Sequence, residues 1–338
     1  MAGRVLLSDI ARSCSTSIST VSRVLSGDSS RRIAESTRDR IIAAAREMGY
    51  FDAKLKTIGR SNAVSVAVLF LSDHESILSP FFSQVVEGIK AECEATASHC
   101  IDLRVLSLYD DGFFNELESG SFDFAIILGR VRKDILDRVR RSGSRLIYAG
   151  LNAIGGMDEV LCDARQGISH AVEYLHSLGH ERIAFLGPCD QHQVENEFRF
   201  EGYMDGLARC GIAFDESLAC DSYLTSDDGY ARIRDLVPSA HPSAVICAND
   251  NLALGAIKGL ADIGLSVPDD ISVTGYDNID AAAYLNPPLT TFDVPKRELG
   301  RFALRLAVER HESGRQYDVR LSLPFTLVER KSTKEVSK

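Results

Sequence analysis

A short run of small polar residues around Arg23 has the residue types that hydrogen-bond to the edges of nucleic acid bases. At helical spacing, one face consists of Ile18, Ser19, Ser22 and Arg23. A helix fits the major groove of DNA, where side chains near its N-terminus contact bases. The guanidinium group of Arg23 can donate two parallel hydrogen bonds, which suit either a guanine or a phosphate. From these residues alone, a DNA-binding helix and the ordinary solvated face of a three-helix bundle remain alternatives.

Three helical patterns are predicted to form and support this face. In each pattern, apolar residues recur at helical spacing. The three sets are Leu7, Ile10 and Ala11; Val21, Val24 and Leu25; and Ile41, Ile42, Ala45 and Met48. Ser17 is predicted to cap the second helix, because its hydroxyl can accept a hydrogen bond from a backbone N–H two or three residues on. Two short helices joined by a tight polar turn are typical of a helix-turn-helix.

From Ala63 onward the sequence alternates between strands and helices. Continuous apolar runs, such as residues 64–71 and 122–129, are typical of strands buried in a parallel sheet. The number of βα units predicts two doubly wound parallel sheets, and ligands of such sheets bind beyond the carboxyl ends of the strands. The candidate positions at strand ends are Ser72, Asp73, Gly150, Gly187, Asn249, Asp250 and Asp277.

Charge is unevenly distributed along the 338 residues, whose formal net charge is −10. Residues 1–60 contain 11 Lys and Arg against 6 Asp and Glu, a net charge of +5. The remaining 27 basic and 42 acidic residues give −15. A basic N-terminal head on an acidic body suits a head that contacts phosphates and a body that repels them.

Several classes of protein are disfavoured by what the sequence lacks. Its eight cysteines form no CxxC pair and have no histidine at metal-ligand spacing, so we expect reduced thiols in a cytoplasmic protein, without a metal or a cofactor. No apolar run approaches the ~20 residues of a membrane span. There is no phosphate-binding loop, GxSxG motif or dinucleotide fingerprint, which argues against an enzyme. A sugar-binding protein of the transport type would need a secretory signal, which we do not find, and would lack the basic head.

The first 60 residues resemble the DNA-binding head of the LacI/GalR family of repressors. The segments LSDIARSCSTSISTVSRVLSG and TRDRIIAAAREMGY carry the resemblance, above all T-V-S-R-V-L and the terminal G-Y. The resemblance implies two sets of contacts with double-stranded DNA: base reading by Ile18, Ser19 and Arg23, and mostly phosphate contacts by Ser17, Thr20 and Ser22.

A hinge follows the head in this family and orders on specific DNA. One of its leucines inserts into the minor groove at the operator centre and kinks the duplex. In the segment FDAKLKTIGRSN, Leu55 fits that role best, Ile58 is the second choice, and Lys56 is the adjacent DNA contact. A plain linker is the alternative.

The body resembles the effector-binding core of the same family, which is akin to periplasmic sugar-binding proteins. The matching segments include SPFFSQVVEGI, ANDNLALGAIKGL and VPDDISVTGYDN. The resemblance implies five effector-binding residues: Phe82, Arg199, Tyr223, Asn249 and Asp277. An arginine, an amide and a carboxylate in one cleft can bind neighbouring sugar hydroxyls as donors and as acceptors, and the two aromatic rings would form apolar walls. For each polar residue, a role in stabilising the fold is the alternative.

Two departures from the family pattern concern the effector. Gly150 lies where sugar-responsive members often carry aspartate, so not all the usual sugar contacts can be transferred to this chain. The segment from Val105 to Phe124 is unusually short, as it is in some regulators of galactoside-utilisation operons. This feature favours a galactoside or a related glycoside as the effector.

The resemblance also implies a domain organisation and a mechanism. The predicted parts are a helix-turn-helix head (1–50), a hinge (51–62), an N-subdomain (63–160 with 292–321), a C-subdomain (161–291 with 322–333) and a polar tail (334–338). We expect a homodimer on a pseudo-palindromic operator. Effector binding between the subdomains would change their angle, disorder the hinges and release the DNA. The opposite sign, a corepressor or non-sugar effector that strengthens DNA binding, remains open.

Overall fold

The computed structural model describes residues 7–14, 16–26, 37, 40, 41, 44, 63–71, 79–96, 100–108, 110, 112–119, 122–189, 194 and 196–336. The chain divides into two compact units. One contains the described residues up to residue 44, which we call the head, and the other contains nearly all described residues from Val64 onward, which we call the body.

The head contains helices α1 (Leu7–Ser13) and α2 (Ile18–Ser26), which pack against each other. Val21 and Ile10 are fully buried between them, which agrees with the predicted apolar stripes. Ser17 caps α2 as predicted, since its Oγ accepts a hydrogen bond from the N–H of Thr20 (3.1 Å). Of the predicted third helix, the structure describes helical backbone at residues 37, 40, 41 and 44.

The first half of the body alternates strands and helices. Its elements are β1 (Ala63–Phe70), α3 (Pro80–Ala95), β2 (Cys100–Ser107), α4 (Phe113–Ser119), β3 (Phe124–Leu128), α5 (Lys133–Arg140), β4 (Arg145–Gly150) and β5 (Asp158–Leu161). Strand β3 is buried along its whole length and pairs in parallel with β1 and β4. Helices on both faces account for such continuous burial.

The second half continues the alternation and forms a sheet of its own. Its elements are α6 (Ala164–Ser177), β6 (Ile183–Gly187), α7 (Arg199–Cys210), β7 (Ala219–Asp221), α8 (Ser226–Ala240), β8 (Ala244–Cys247), α9 (Asp250–Asp262) and β9 (Ser272–Thr274). The strand order is β7-β6-β8-β9, and all three pairs are parallel. The α/β body with parallel sheets, predicted from the alternation, is confirmed.

The C-terminal segment returns to the first sheet. Its elements are β10 (Thr291–Asp293), α10 (Lys296–Ser313), β11 (Arg320–Ser322) and β12 (Thr326–Val328). Strand β11 pairs in parallel with β5, which gives the first sheet the order β11-β5-β4-β3-β1-β2, while β10 and β12 form an antiparallel pair. The predicted division of the C-terminal segment between two subdomains, and the exact domain boundaries, stay predictions.

Helix α10 packs against α3 through a buried carboxylate. Glu92 on α3 accepts hydrogen bonds from the Nε atoms of Arg305 (2.6 Å) and Arg301 (3.2 Å) on α10. The bond from Arg305 contributes most to holding the pKa of Glu92 below its ordinary value. These contacts attach the C-terminal segment to the layer of helices that covers the first sheet.

Candidate functional site

The outward face of α2 combines an exposed apolar side chain with small hydroxyls. Ile18 is 52% exposed, Ser19 is exposed and Arg23 is half-buried, while Val21 and Val24 face the interior. Ile18 and Ser19 are therefore on the surface side of α2, away from Val21 and Val24. Base reading by Ile18, Ser19 and Arg23 stays a prediction.

A cluster of hydroxyls forms the N-terminus of α2. The Oγ of Ser17 lies 2.8 Å from both the Oγ of Ser19 and the Oγ1 of Thr20. Hydroxyls at a helix N-terminus can reorient between these internal bonds and an incoming phosphate. The side chain of Ser22 and the residues Leu55 and Lys56 lie outside the described residues, so their predicted contacts are not tested.

A cavity of about 350 Å³ lies in the body beyond the carboxyl ends of strands from both sheets. Gly129 and Gly150 line it at the ends of β3 and β4, and Asn249 and Asp277 line it just after β8 and β9. This is the position at which open parallel sheets bind ligands. The structure brings four of the five predicted effector-binding residues to this cavity: Phe82, Arg199, Asn249 and Asp277.

Arg199 is the first residue of α7 and is 3% exposed. Its Nη1 donates a hydrogen bond to the carbonyl oxygen of Ala248 (3.1 Å), and its Nε donates to Oε1 of Glu197 (2.7 Å). Its Nη2 also donates to the second carboxylate oxygen of Glu197. The guanidinium group is therefore held at the cavity wall in one orientation.

Glu197 is a buried acid that sequence reasoning missed. Its carboxylate, 2% exposed, also lies 3.7 Å from the Nη1 of Arg130, which lines the cavity from the side of the first sheet. Burial raises the pKa of Glu197, but the charges and hydrogen bonds of Arg199 and Arg130 outweigh burial and hold the pKa below its ordinary value. The available signal in the sequence was a glutamate two residues before Arg199, the arginine predicted to bind the effector.

Asn249 caps helix α9 as well as lining the cavity. Its Oδ1 accepts a hydrogen bond from the N–H of Leu252 (2.9 Å), and its Nδ2 donates to the carbonyl oxygen of Leu224 (3.3 Å). The structure thus shows a fold-stabilising role for this amide. The second lone pair of the oxygen and the second proton of the nitrogen leave chemical capacity for a ligand contact.

Asp277 has a backbone conformation that is uncommon for a residue with a side chain, with φ of 110°. The buried ammonium group of Lys296 donates a hydrogen bond to the carbonyl oxygen of Asp277. The backbone N–H of Asp277 donates to the carbonyl oxygen of Phe292 (2.9 Å). These contacts hold the backbone at a strained point, as is often found where a side chain is presented to a ligand.

The two predicted aromatic walls behave differently. Phe82 lines the cavity and packs edge-to-face on Phe70 and Phe81, with ring centroids 4.9 and 5.1 Å away. Tyr223 is 53% exposed and is not among the described residues that line the cavity, whereas Leu224 is. Its N–H donates to the carboxylate of Asp228 (2.6 Å), so the turn that leads into α8 leaves the ring at the surface. In this conformation Tyr223 does not join the other four, and its stacking on an effector stays a prediction.

The absence of a side chain at Gly150 is explained by the position of Tyr148, two residues earlier. A Cβ at this position would lie 2.0 Å from the hydroxyl oxygen of Tyr148, so that the tyrosine occupies the space of any side chain at position 150. Residues two apart on a strand share a face, which was the signal in the sequence RLIYAG. The Tyr148 hydroxyl, which lines the cavity, therefore lies where the family pattern has an acidic side chain.

Asn196 links the two halves of the body beside the cavity. Its Oδ1 accepts a hydrogen bond from the N–H of Val131 (2.9 Å), and its Nδ2 donates to the carbonyl oxygen of Gly129 (3.2 Å) and to the hydroxyl of Tyr148 (2.7 Å). Asn196 precedes α7 of the second sheet, whereas its partners follow β3 or lie in β4 of the first sheet. Sequence reasoning gave no indication of this link, because its partners are 48 to 67 residues away.

Two family models match this chain in the parts that the sequence analysis singled out. The model for bacterial regulatory proteins of the lacI family matches residues 6–52, and the model for a periplasmic binding protein-like domain matches residues 172–333.

The chain belongs to the LacI family.

Individual relatives agree along nearly the whole length. The transcriptional repressor PurR of Photobacterium profundum is 28% identical over 342 residues, which cover 98% of this chain and 99% of PurR. Among solved structures, a complex of the regulator CelR with cellobiose is similar with a TM-score of 0.70 and 27% identity, over 97% of this chain and all of that one. The lac repressor dimer bound to operator and the anti-inducer ONPF shares the fold, with a TM-score of 0.75 and 23% identity over 98% of this chain and all of that one.

Membership of the LacI family establishes the general function. The chain is a DNA-binding transcriptional repressor of this family, and its homologues are regulators rather than enzymes. In the part of the chain that the structure describes, we find no cluster of metal-binding side chains and no helix long and apolar enough to cross a membrane.

Proposed function

We propose that this LacI-family repressor binds a pseudo-palindromic operator as a homodimer in the cytoplasm and controls a carbohydrate-utilisation operon. A small sugar, most simply a galactoside or related glycoside, would bind in the body cavity and release the repressor from DNA. The observation that carries the proposal is the cavity itself, in which Arg199, Asn249 and Asp277 lie together with the apolar wall of Phe82.

The chemistry of these groups supports a ligand rich in hydroxyls. Arg199 supplies donors, Asp277 supplies acceptors, and the Asn249 amide supplies both, which matches the dual character of a hydroxyl group. Phe82 offers an aromatic surface of the kind that packs on the apolar face of a sugar ring. The similarity to the CelR–cellobiose complex supports the same class of ligand.

The head residues would recognise the operator. Ile18, Ser19 and Arg23 would contact base edges, and Ser17, Thr20 and Ser22 would contact phosphates. The exposure of Ile18 and Ser19, opposite the buried Val21, supports this assignment. Leu55 and Lys56 complete the proposed DNA contacts from the hinge.

A titration with fluorescently labelled DNA tests the proposal. Since the chain contains no tryptophan, the fluorescent label is placed on the DNA. The test fragment comes from upstream of the gene itself, and a shuffled fragment is the control. We expect specific binding that weakens steeply with salt, as phosphate contacts require, and that one sugar of a panel abolishes. No preference for upstream DNA at any salt concentration would contradict the proposal. Strengthening of the complex by an added ligand would establish the corepressor alternative.

A further inference from the structure

The positive charge of two arginines at the cavity is balanced by a buried carboxylate of the protein. Two arginines line it, Arg130 from the side of the first sheet and Arg199 from the side of the second. The carboxylate of Glu197 contacts both guanidinium groups: it accepts two hydrogen bonds from Arg199 and lies 3.7 Å from Arg130. All three groups thus form one buried or half-buried charged cluster at the cavity wall.

Two arginines facing one cavity would ordinarily favour an anionic ligand. A guanidinium group binds a carboxylate or phosphate best through two parallel N–H donors. In Arg199, the edge formed by Nε and Nη2 is the edge that Glu197 already binds. A phosphate or carboxylate group of a ligand would have to displace Glu197 from this edge or bind close to its negative charge.

The remaining charged group of the cavity adds to this effect. Among the described residues that line the cavity, Asp277 is the acidic one. Together with Glu197, which contacts both guanidinium groups, it gives the two arginines two carboxyl groups as partners in charge. Bringing a like charge next to a desolvated carboxylate is strongly unfavourable. Uncharged hydroxyl groups carry no such penalty.

We propose that Glu197 is a specificity-determining residue that makes this cavity select uncharged polyhydroxyl effectors and reject sugar phosphates and sugar acids. The inference rests on the proposed function of the cavity as an effector site. It goes further by assigning the charge of the ligand and the residue that sets it. Glu197 acts through Arg199 and Arg130 and does not itself line the cavity.

A purely structural role for Glu197 makes a different prediction. If Glu197 only orders Arg199, its replacement should weaken the binding of all ligands by a similar factor. If Glu197 sets the charge preference, its replacement should change the ratio between anionic and uncharged ligands. The ratio is therefore the informative quantity.

The test compares the wild type with Glu197→Gln, which keeps the shape of the side chain and removes its charge, and with Glu197→Asp, which keeps the charge. The same change at an exposed site, Glu216→Gln, is the matched control. The melting temperature would be measured in phosphate-free buffer with two kinds of added ligand. The first is inorganic phosphate. The second is a pair of sugars that differ in charge, either galactose with galacturonate or glucose with glucose 6-phosphate. The full chain is used throughout.

We expect millimolar phosphate to raise the melting temperature of Glu197→Gln and to leave the wild type, Glu197→Asp and Glu216→Gln unchanged. We expect the wild type to prefer the uncharged sugar of a pair it binds by about tenfold or more, and Glu197→Gln to lose that preference. A wild type that binds galacturonate or glucose 6-phosphate more tightly than the parent sugar overturns the inference. So does a Glu197→Gln variant that ignores phosphate and keeps the wild-type preference.

Two further outcomes separate this inference from the proposed function. If no sugar stabilises the wild type but Glu197→Gln gains phosphate binding, the sugar proposal fails and the role of Glu197 as counter-ion stands. If Glu197→Gln does not fold, because two arginines lose their partner, the wild-type preference within the sugar pairs decides the inference.

Discussion

The Nδ2 of Asn196 donates a hydrogen bond of 2.7 Å to the hydroxyl of Tyr148 and so joins the loop before α7 to strand β4. The same tyrosine hydroxyl occupies the space next to Gly150. One buried contact thus shapes the cavity and links the two halves of the body around it. The expected change of angle between the two halves on effector binding would act directly on this contact.

The close approach of Tyr148 predicts the effect of adding a side chain at position 150. Gly150→Ala should lower the free energy of unfolding by ~1–3 kcal/mol, because the new Cβ overlaps the tyrosine ring and hydroxyl. Combining it with Tyr148→Ala should cost less than the sum of the two single changes, as measured by urea unfolding. Additive effects would show that the two positions do not compete for the same space.

Arg23 is predicted to determine operator preference. Arg23→Ala should reduce the ratio of operator to shuffled-DNA affinity by about 10-fold or more, since each good base contact contributes ~1–3 kcal/mol of discrimination. Dimerisation and effector binding should be unchanged. Arg12→Ala, an exposed arginine on α1, is the control and should keep the ratio. An unchanged ratio in Arg23→Ala would mean that α2 does not read the operator through this residue.

Arg199 is predicted to be required for the effector response but not for DNA binding. Arg199→Ala should bind the operator with wild-type affinity and should no longer be released by the sugar that releases the wild type. Arg209→Ala, at the exposed end of the same helix α7, should respond normally. A thermal melt should accompany the titration, because the change leaves Glu197 buried with Arg130 alone. A folded Arg199→Ala variant that responds fully would refute the assignment of the cavity.

The stability of the body is predicted to depend on pH through Asp158. Its buried carboxylate on β5 accepts hydrogen bonds from Arg315 (2.8 and 3.0 Å), Arg310 (3.1 Å) and the N–H of Val319 (2.7 Å). Burial raises the pKa of Asp158, but these bonds and charges outweigh it and hold the pKa below its ordinary value of 3.8. Because the unfolded chain takes up the proton first, the stabilisation is complete above about pH 4 and is lost as the pH falls through the lowered pKa.

Asp158→Asn should therefore destabilise the body at neutral pH by up to ~3–5 kcal/mol, the usual cost of removing one partner of a buried ion pair. Arg310 keeps Asp318 as a partner, and Arg315 keeps Glu309. The difference from the wild type should shrink on acidification from about pH 7 to about pH 3, measured by urea unfolding at each pH. Asp102→Asn, at an exposed ion pair, should have little effect at either pH. A difference independent of pH would contradict the account of Asp158.

The elements that the sequence predicted best are those with continuous or periodic apolar patterns. The apolar runs at residues 64–71 and 122–129 correspond to strands β1 and β3, and the positions of Asn249 and Asp277 after their strands follow from the same kind of pattern. Strand β5 was missed, because Asp158 and Glu159 interrupt the apolar pattern. Their burial depends on arginines more than 150 residues later, which no local pattern reveals.

The candidate site could be predicted only in part for a similar reason. Asp277 was expected at the end of a strand from the apolar pattern, whereas Arg199 was assigned from the family resemblance, and both line the cavity. The partners of Arg199, Glu197 and through it Arg130, depend on how the two halves of the body meet. Tyr223 was predicted from its position in the chain, but the turn into α8 directs its ring to the surface.

The central claim, that a sugar in the body cavity controls DNA binding by the head, is tested most directly by measuring the linkage in both directions. The affinity for labelled operator would be measured with and without the sugar, and the affinity for the sugar with and without saturating operator. The account predicts that each ligand weakens the other by the same factor, because the coupling free energy between two sites is reciprocal. A sugar that binds the wild type equally well in the presence and absence of operator, and leaves operator affinity unchanged, would contradict it.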